Sequence, residues 1–299
     1  MYQVACRKGL AACVCAPSWN AIGIVAVSEH DVIQNTRVPV TVKSLKTELC
    51  ALGVQRGMVL LVHSAQSALG WVCGGPVAVI AALQEILGPE GTLVMPAYTG
   101  GLTDPKNWQN PPVPEDWKDT IRAEMPAFDP LRTPSREMGC IAETFRTWPD
   151  VIRSSHPHCS FSAWGAHAID ITRDHALEYG MGEGSPLARI YDLDGWVLLL
   201  GVGFGNNSSL HLSEYRATYP GKAEETNGAP MWIDGQRQWV PIRDLELDAD
   251  DFVCIGESFM KQTQAVRSSK IGEGVALLMP QRAAVDYAIG WMETYRAEK

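Results

Sequence analysis

His211 and Glu214 stand three residues apart within residues 196–216, WVLLLGVGFGNNSSLHLSEYR. On a helix that spacing puts an imidazole and a carboxylate on one face. An imidazole takes up a proton near neutral pH, and an adjacent carboxylate stabilises the imidazolium that results. The pair therefore offers general-base chemistry. The plainer alternative is a histidine that only caps or packs. Two further stretches carry reactive side chains: His63-Ser64-Ala65-Gln66-Ser67 after an apolar run, and RSSHPHCSFSAWG from Arg153 to Gly165. The second holds two histidines and several hydroxyls. Its ligand number and spacing match no strong zinc pattern, and none of the eight cysteines forms a paired C-x-x-C array, so no metal is expected.

The elements around these residues are legible from local pattern. Val197 to Val202 is an apolar run flanked or interrupted by glycines, as a strand buried on both faces of a sheet reads. Asn206, Asn207, Ser208 and Ser209 follow, all residue types that cap helices. A helix carrying His211 should then start beside the strand's carboxyl end. Open α/β sheets bind ligands there, and helix N-termini attract negative charge. Met58 to Val62 reads as a second buried strand. A glycine-rich turn from Gly70 to Gly75, a helix from Pro76 to Leu87, and a strand from Thr92 to Met95 follow it. Strands alternating with helices indicate a parallel sheet.

Leu45, Leu49 and Leu52 form a helical stripe ended by Gly53. From Pro96 to Pro134 prolines recur without apolar periodicity, which predicts a long binding loop, a lid or a packed surface excursion. Residues 138–148 and 187–193 read as helices, and His175 as a surface histidine. Residues 217–252 read as β hairpins with an Asp234-Gly235 turn. The last strand is expected at 274–278 and an amphipathic helix at 281–296. With no repeat and no low-complexity linker, the fold class is α/β. It is a single domain with a central, mostly parallel sheet flanked by helices, plus a smaller antiparallel hairpin region.

The chain has 299 residues, 46% hydrophobic and 20% charged, with a formal charge of −9. That balance weighs against nucleic acid and acidic membranes as partners and suits a cationic substrate. No apolar stretch reaches the ~18 residues of a membrane span. Several cysteines sit inside apolar runs, as buried thiols do, and a reducing cytoplasm is the simplest context. The first ~30 residues resemble a poor secretory signal, broken by Pro17, Ser18, Trp19 and Asn20. Residues 1–37 are read as an N-terminal extension that activity does not need, and 38–299 as the functional domain.

Several ordered blocks together resemble the aminoglycoside 3-N-acetyltransferase family. They are LLVHSAQSALGWVCGG, ALQEILGPEGTLVMPAYT, FDPLRTPSREMGCIAETFRTWPDVIRSSHPHCSFSAWG, SPLARIYDLDGWVLLLGVG and NNSSLHLSE. The similarity runs from roughly residue 40 to residue 297. It implies an α/β enzyme outside the GNAT fold, moving acetyl from acetyl-CoA to the 3-amine of a deoxystreptamine antibiotic, as a cytoplasmic monomer or homodimer. His211 matches the family's catalytic histidine. Glu214 and Glu246 are both candidates for its supporting acid. For the cofactor, the resemblance implies His63, Ser64, Ser67, Gly75, Arg153, Ser154, His156 and Ser160. The family's HSS-type motif here reads His63-Ser64-Ala65, so its second serine is missing and Ser67 is the substitute candidate. For a polycationic substrate, Tyr98, Asp104, Glu183, Asp244 and Asp248 are implied.

Other readings stay open on the residues alone. They are an acyltransferase acting on another small amine, a hydrolase using Ser64 or Cys159, and a ligand-binding protein without catalysis. The absence of a G-x-S-x-G elbow around Ser64 weakens the hydrolase.

Overall fold

A computed structural model describes residues 28–109 and 111–296. The expectations for residues 1–27 lie outside them. The main sheet has seven strands: β1 (Val59–Ser64), β2 (Thr92–Pro96), β3 (Ile152–Arg153), β4 (Phe161–Gly165), β5 (Trp196–Leu200), β8 (Arg267–Ile271) and β9 (Gly274–Pro280). β6 (Glu224–Ile233) and β7 (Gln236–Leu245) form a separate antiparallel pair. The order across the main sheet is β3-β4-β2-β1-β5-β9-β8. β2, β1 and β5 are parallel neighbours, while β4 and β9 pair antiparallel with the strands beside them. Five of the seven strands thus share one direction.

β1 shows why the apolar runs are continuous. Leu60 and Val62 pack on one face against α2 (Val42–Leu52), α3 (Gly75–Leu87) and α5 (Gly139–Arg146), through Leu45, Leu49, Val79, Leu83, Ile141 and Phe145. Val59 and Leu61 pack on the other face. There they meet α6 (Ala168–Thr172), α7 (Pro186–Asp192), α8 (Ser209–Arg216), α9 (Phe252–Gln262) and α10 (Gln281–Tyr295), through Ile171, Leu187, Leu210, Ile255 and Val285. Side chains alternate along a strand, so a strand covered on both faces needs apolar residues at every position. The same alternation turns His63 toward the α8 side and Ser64 toward the α3 side.

The order β2-β1-β5 places a switch point at β1. The chain leaves β1 through α3 to β2 on one side and later returns as β5 on the other. The carboxyl ends of β1 and β5 lie side by side, with Ser64 opposite Leu200. Crevices open at such points in α/β sheets.

Some elements differ from the sequence reading. One hairpin, not several, occupies 217–252, and its turn residues Asp234 and Gly235 both have positive φ, as a two-residue turn of that type requires. The proline-rich segment holds short 3-10 turns and α4 (Lys118–Glu124). α9 and β8 received no assignment from the sequence; α9 nevertheless carries a helical stripe, Phe252, Ile255, Gly256 and Phe259, on its buried face, and β8 is a mostly exposed strand at the sheet edge. α1 (Glu29–Asn35), inside the expected extension, has a Ser28–Asp31 capping box and no buried residue.

Candidate active site

β5 ends at Leu200, and the chain turns sharply through Gly201 at φ +73°. A Cβ there would meet the Ala65 carbonyl oxygen at 2.9 Å, so the close approach of the β1 and β5 ends requires glycine. A 3-10 turn at Phe204–Asn206 leads into α8. Asn207 Oδ1 accepts the Ser209 N–H at 3.1 Å and supports the helix start.

On α8 the two expected partners meet. His211 Nδ1 donates to Glu214 Oε2 at 2.6 Å, and the His211 ring packs on Phe252 with centroids 4.8 Å apart. Glu214 is fully buried. Its other oxygen, Oε1, accepts from Arg296 Nη1 at 2.8 Å and from the Asp248 N–H at 2.9 Å. Arg296 also holds Asp251 through two bonds of 2.7 and 2.8 Å. Burial opposes the guanidinium charge, but Asp251 and Glu214 outweigh it and raise the Arg296 pKa above the usual arginine value. Glu246, the other sequence candidate, is exposed, and its N–H donates to Ala223. The carboxylate bonded to the imidazole is Glu214.

A cleft of about 800 Å³ opens at the switch point. His63, Ser64, Ser67 and Gly75 line it, with Gln66, Asn206, Glu137 and Cys140. The N-termini of α3 and α5 both reach it. His63 is 6% exposed and lies beside His211. Burial first, and His211 second, pull its pKa down to about 3, so it is neutral. Its buried Nε2 has no hydrogen-bond partner among the described residues. A shallower cleft of about 350 Å³ adjoins, lined by Tyr98, Gly100, Arg136, Glu137 and Met138. Tyr98 donates to Ser208 Oγ at 2.6 Å, next to the start of α8. Burial raises the Tyr98 pKa, so it stays a phenol.

The other cofactor candidates are not on these walls. Arg153, Ser154, His156 and Ser160 are all buried. Arg153 donates to Ser160 Oγ at 3.0 Å and to the carbonyls of Ala97, Pro130 and Thr133. Burial first, and the nearby Arg146 second, lower its pKa to about 10 against the opposing pull of Glu143 and Asp129. Ser154 donates to His175 Nδ1 at 2.9 Å, and His175 Nε2 donates to the Gly180 carbonyl at 2.6 Å. His156 Nδ1 accepts the N–H groups of His158 and Cys159, and its Nε2 donates to Leu177. His175, read from sequence as a surface residue, is 7% exposed. Local sequence did not reveal this, because only the fold brings residues 154 and 175 together.

The acidic candidates have partners already. Asp104 is held by Arg122 at 2.8 and 3.1 Å and by the Lys106 N–H. Glu183 pairs with Arg216 through two bonds of 2.7 and 2.9 Å. Asp244 accepts from the Tyr215 hydroxyl and from the Gly180 and Leu245 N–H groups. Asp248 Oδ1 accepts the Asp250 N–H at 2.9 Å. Arg296, Asp251, Glu137 and Gln66 were not foreseen. A lone arginine after an amphipathic helix looks like a surface charge until its partners are known.

Fold and site together define a mixed α/β protein whose switch-point cleft lies beside a buried-carboxylate–histidine pair. The chain belongs to the aminoglycoside 3-N-acetyltransferase family, whose model matches residues 61–293, and so to the acyltransferases. It is 43% identical over 261 residues to the SPbeta prophage-derived aminoglycoside N(3')-acetyltransferase-like protein YokD of Bacillus subtilis (strain 168), covering 87% of this chain and 95% of that protein. The crystal structure of YokD has a TM-score of 0.88 and covers 90% of this chain and 99% of that one. Aminoglycoside N(3)-acetyltransferase VII of Streptomyces paromomycinus is 34% identical over 281 residues, 89% of this chain and 96% of the relative. A structure of AAC-IIIb in binary complex with CoASH matches at 32% identity and TM-score 0.78, covering 88% of this chain and 99% of that chain. Among the described residues, no helix is long and apolar enough to cross a membrane, and no group of three or more His, Cys, Asp or Glu side chains is arranged to hold a metal ion.

Proposed function

We propose that this enzyme transfers acetyl from acetyl-CoA to the 3-amino group of the deoxystreptamine ring of an aminoglycoside antibiotic, by direct attack with His211 as general base. The bond from His211 Nδ1 to the buried Glu214 carries the reading. With Nδ1–H donated to a carboxylate, the lone pair of the neutral imidazole sits on Nε2, and the imidazolium formed in the reaction is stabilised. The substrate ammonium first loses one proton to solvent. The neutral amine then attacks the thioester carbon while Nε2 takes an N–H proton. The C–S bond breaks, and that proton passes to the sulfur, leaving the amide and coenzyme A thiol. No enzyme nucleophile is needed.

The 800 Å³ cleft is suited to coenzyme A. The N-terminus of the 13-residue helix α3 opens on the cleft at Gly74 and Gly75 and favours phosphate. The CoASH complex of a relative at 32% identity supports the same assignment. The activity would confer resistance to the antibiotic modified.

A second reading, an acyl-CoA-dependent N-acyltransferase of another small amine, draws on one observation. Asp104, Glu183 and Asp244 are already paired, so fewer carboxylates stand ready for a polycation. One assay separates the two. Coenzyme A release is followed with a thiol reagent over a panel of amines, with a no-amine blank and a His211→Ala control. Release with aminoglycosides, reduced about 10²- to 10⁴-fold in the variant, supports the first reading. Release only with other amines supports the second.

A further inference from the structure

From the walls of the two clefts we infer that Glu137 is a specificity-determining residue, the carboxylate that holds an ammonium group of the acceptor where the clefts meet. The inference rests on the acetyl-transfer reading above.

Among the described residues lining either cleft, the carboxylates are Glu29 and Glu137, and of these Glu137 alone lines both. Two substrates that exchange an acetyl group must meet at such a junction. On one side, the backbone beside Glu137 packs on β1: a Cβ at Gly139 would stand 3.6 Å from the Ser64 carbonyl oxygen. On the other side, Tyr98 of the shallower cleft bonds Ser208, whose carbonyl accepts the His211 N–H at 3.1 Å. Glu137 therefore stands between the end of β1 and the start of the His211 helix.

Its conformation and its partners point the same way. Glu137 has φ +64°, a left-handed conformation that few residues other than glycine and asparagine adopt. Such backbone is concentrated at ligand sites. Its cation partner is the adjacent Arg136 at 3.4 Å, with both side chains more than half exposed. Pairs of that kind contribute little in water and yield readily to a better cation. Asp104, Glu183 and Asp244 lack this availability, because buried or bidentate partners hold them. The ligand class is a polyamine sugar presenting an ammonium near its reacting amine.

The test uses the full-length protein and three variants. Glu137→Gln and Glu137→Asn remove the charge, and asparagine accepts positive φ without strain. Glu137→Asp keeps the charge. KM for an aminoglycoside is expected to rise about ten-fold at low salt in both neutral variants, with kcat within about two-fold and the acetyl-CoA KM unchanged. The aspartate variant should recover much of the loss, and the difference should shrink at high salt. An active parent whose neutral variants keep the aminoglycoside KM overturns the role of Glu137 alone. So does a rise confined to the acetyl-CoA KM. A parent that releases no coenzyme A with aminoglycosides overturns the underlying reading, and this inference with it.

Discussion

Arg296 reaches Glu214 across 82 residues of chain, with Nη1 donating to Oε1 at 2.8 Å and both side chains all but closed to solvent. The carboxylate facing His211 is thus itself held from behind by a buried cation that is shared with Asp251. Losing one member of such a group leaves an uncompensated buried charge, which costs about 3–5 kcal/mol. Arg296→Met should lower stability by that order, as read by urea unfolding, and should reduce kcat. Glu214→Gln should depress kcat far more than it raises either KM. A fully active, fully stable Arg296→Met protein would remove this support from the account of the site.

Stability should fall on mild acidification. Burial keeps four histidines neutral in the fold: His63 at about 3, His158 and His175 at about 4, and His156 well below the usual value. In the unfolded chain each titrates at about 6.5, the ordinary histidine value. Between those limits the unfolded chain binds protons that the folded protein does not. The contribution is therefore complete above about pH 6.5 and is lost as pH drops toward 4. Each group contributes at most about 1.4 kcal/mol per pH unit in that window. Urea midpoints measured from pH 7.5 to pH 5 check this, and a flat profile would contradict it.

Ser160→Ala separates a brace from a cofactor contact. Ser160 Oγ donates to the Ala97 carbonyl at 2.8 Å and accepts from Arg153 Nε at 3.0 Å. Removing it strands the buried Arg153 Nε–H, while the Ala97 carbonyl keeps its bond from Arg153 Nη2, at a cost of about 1–3 kcal/mol. The expected result is a lower melting temperature with an unchanged acetyl-CoA KM. A raised KM at unchanged stability would return Ser160 to the cofactor channel.

The extension invites two truncations. Deleting residues 1–27 should leave activity as it is. Deleting 1–37 also removes Glu29 and Val32 from the cleft wall, and with them the bonds from Trp71 Nε1 to Glu29 and from the Trp71 N–H to Thr36. The longer deletion should raise the acetyl-CoA KM several-fold at most, since exposed or half-buried hydrogen bonds of this kind contribute roughly 1 kcal/mol each. Identical kinetics in both truncated proteins would show the whole stretch to be dispensable.

Local pattern was enough for the buried runs that became β1, β2 and β5, for the glycine turn before α3, for the Asp234-Gly235 hairpin, and for the helix that carries His211 and Glu214 on one face. Each is a property of a few consecutive residues: period two or 3.6, φ above zero, a capping side chain. The directions of β4 and β9 depended on where their connections cross the sheet. The choice of Glu214 over Glu246 required the chain after β7 to leave Glu246 exposed, and the backing of Glu214 by Arg296 required the last helix to return to α8. The inward turn of Arg153, Ser154, His156 and Ser160, and the pairing of Asp104 and Glu183, likewise joined groups from distant segments. Charge pairing and burial depend on distance through space, and distance along the chain does not report it. Tertiary structure therefore decided which polar side chains hold the fold together and which remain for the cleft.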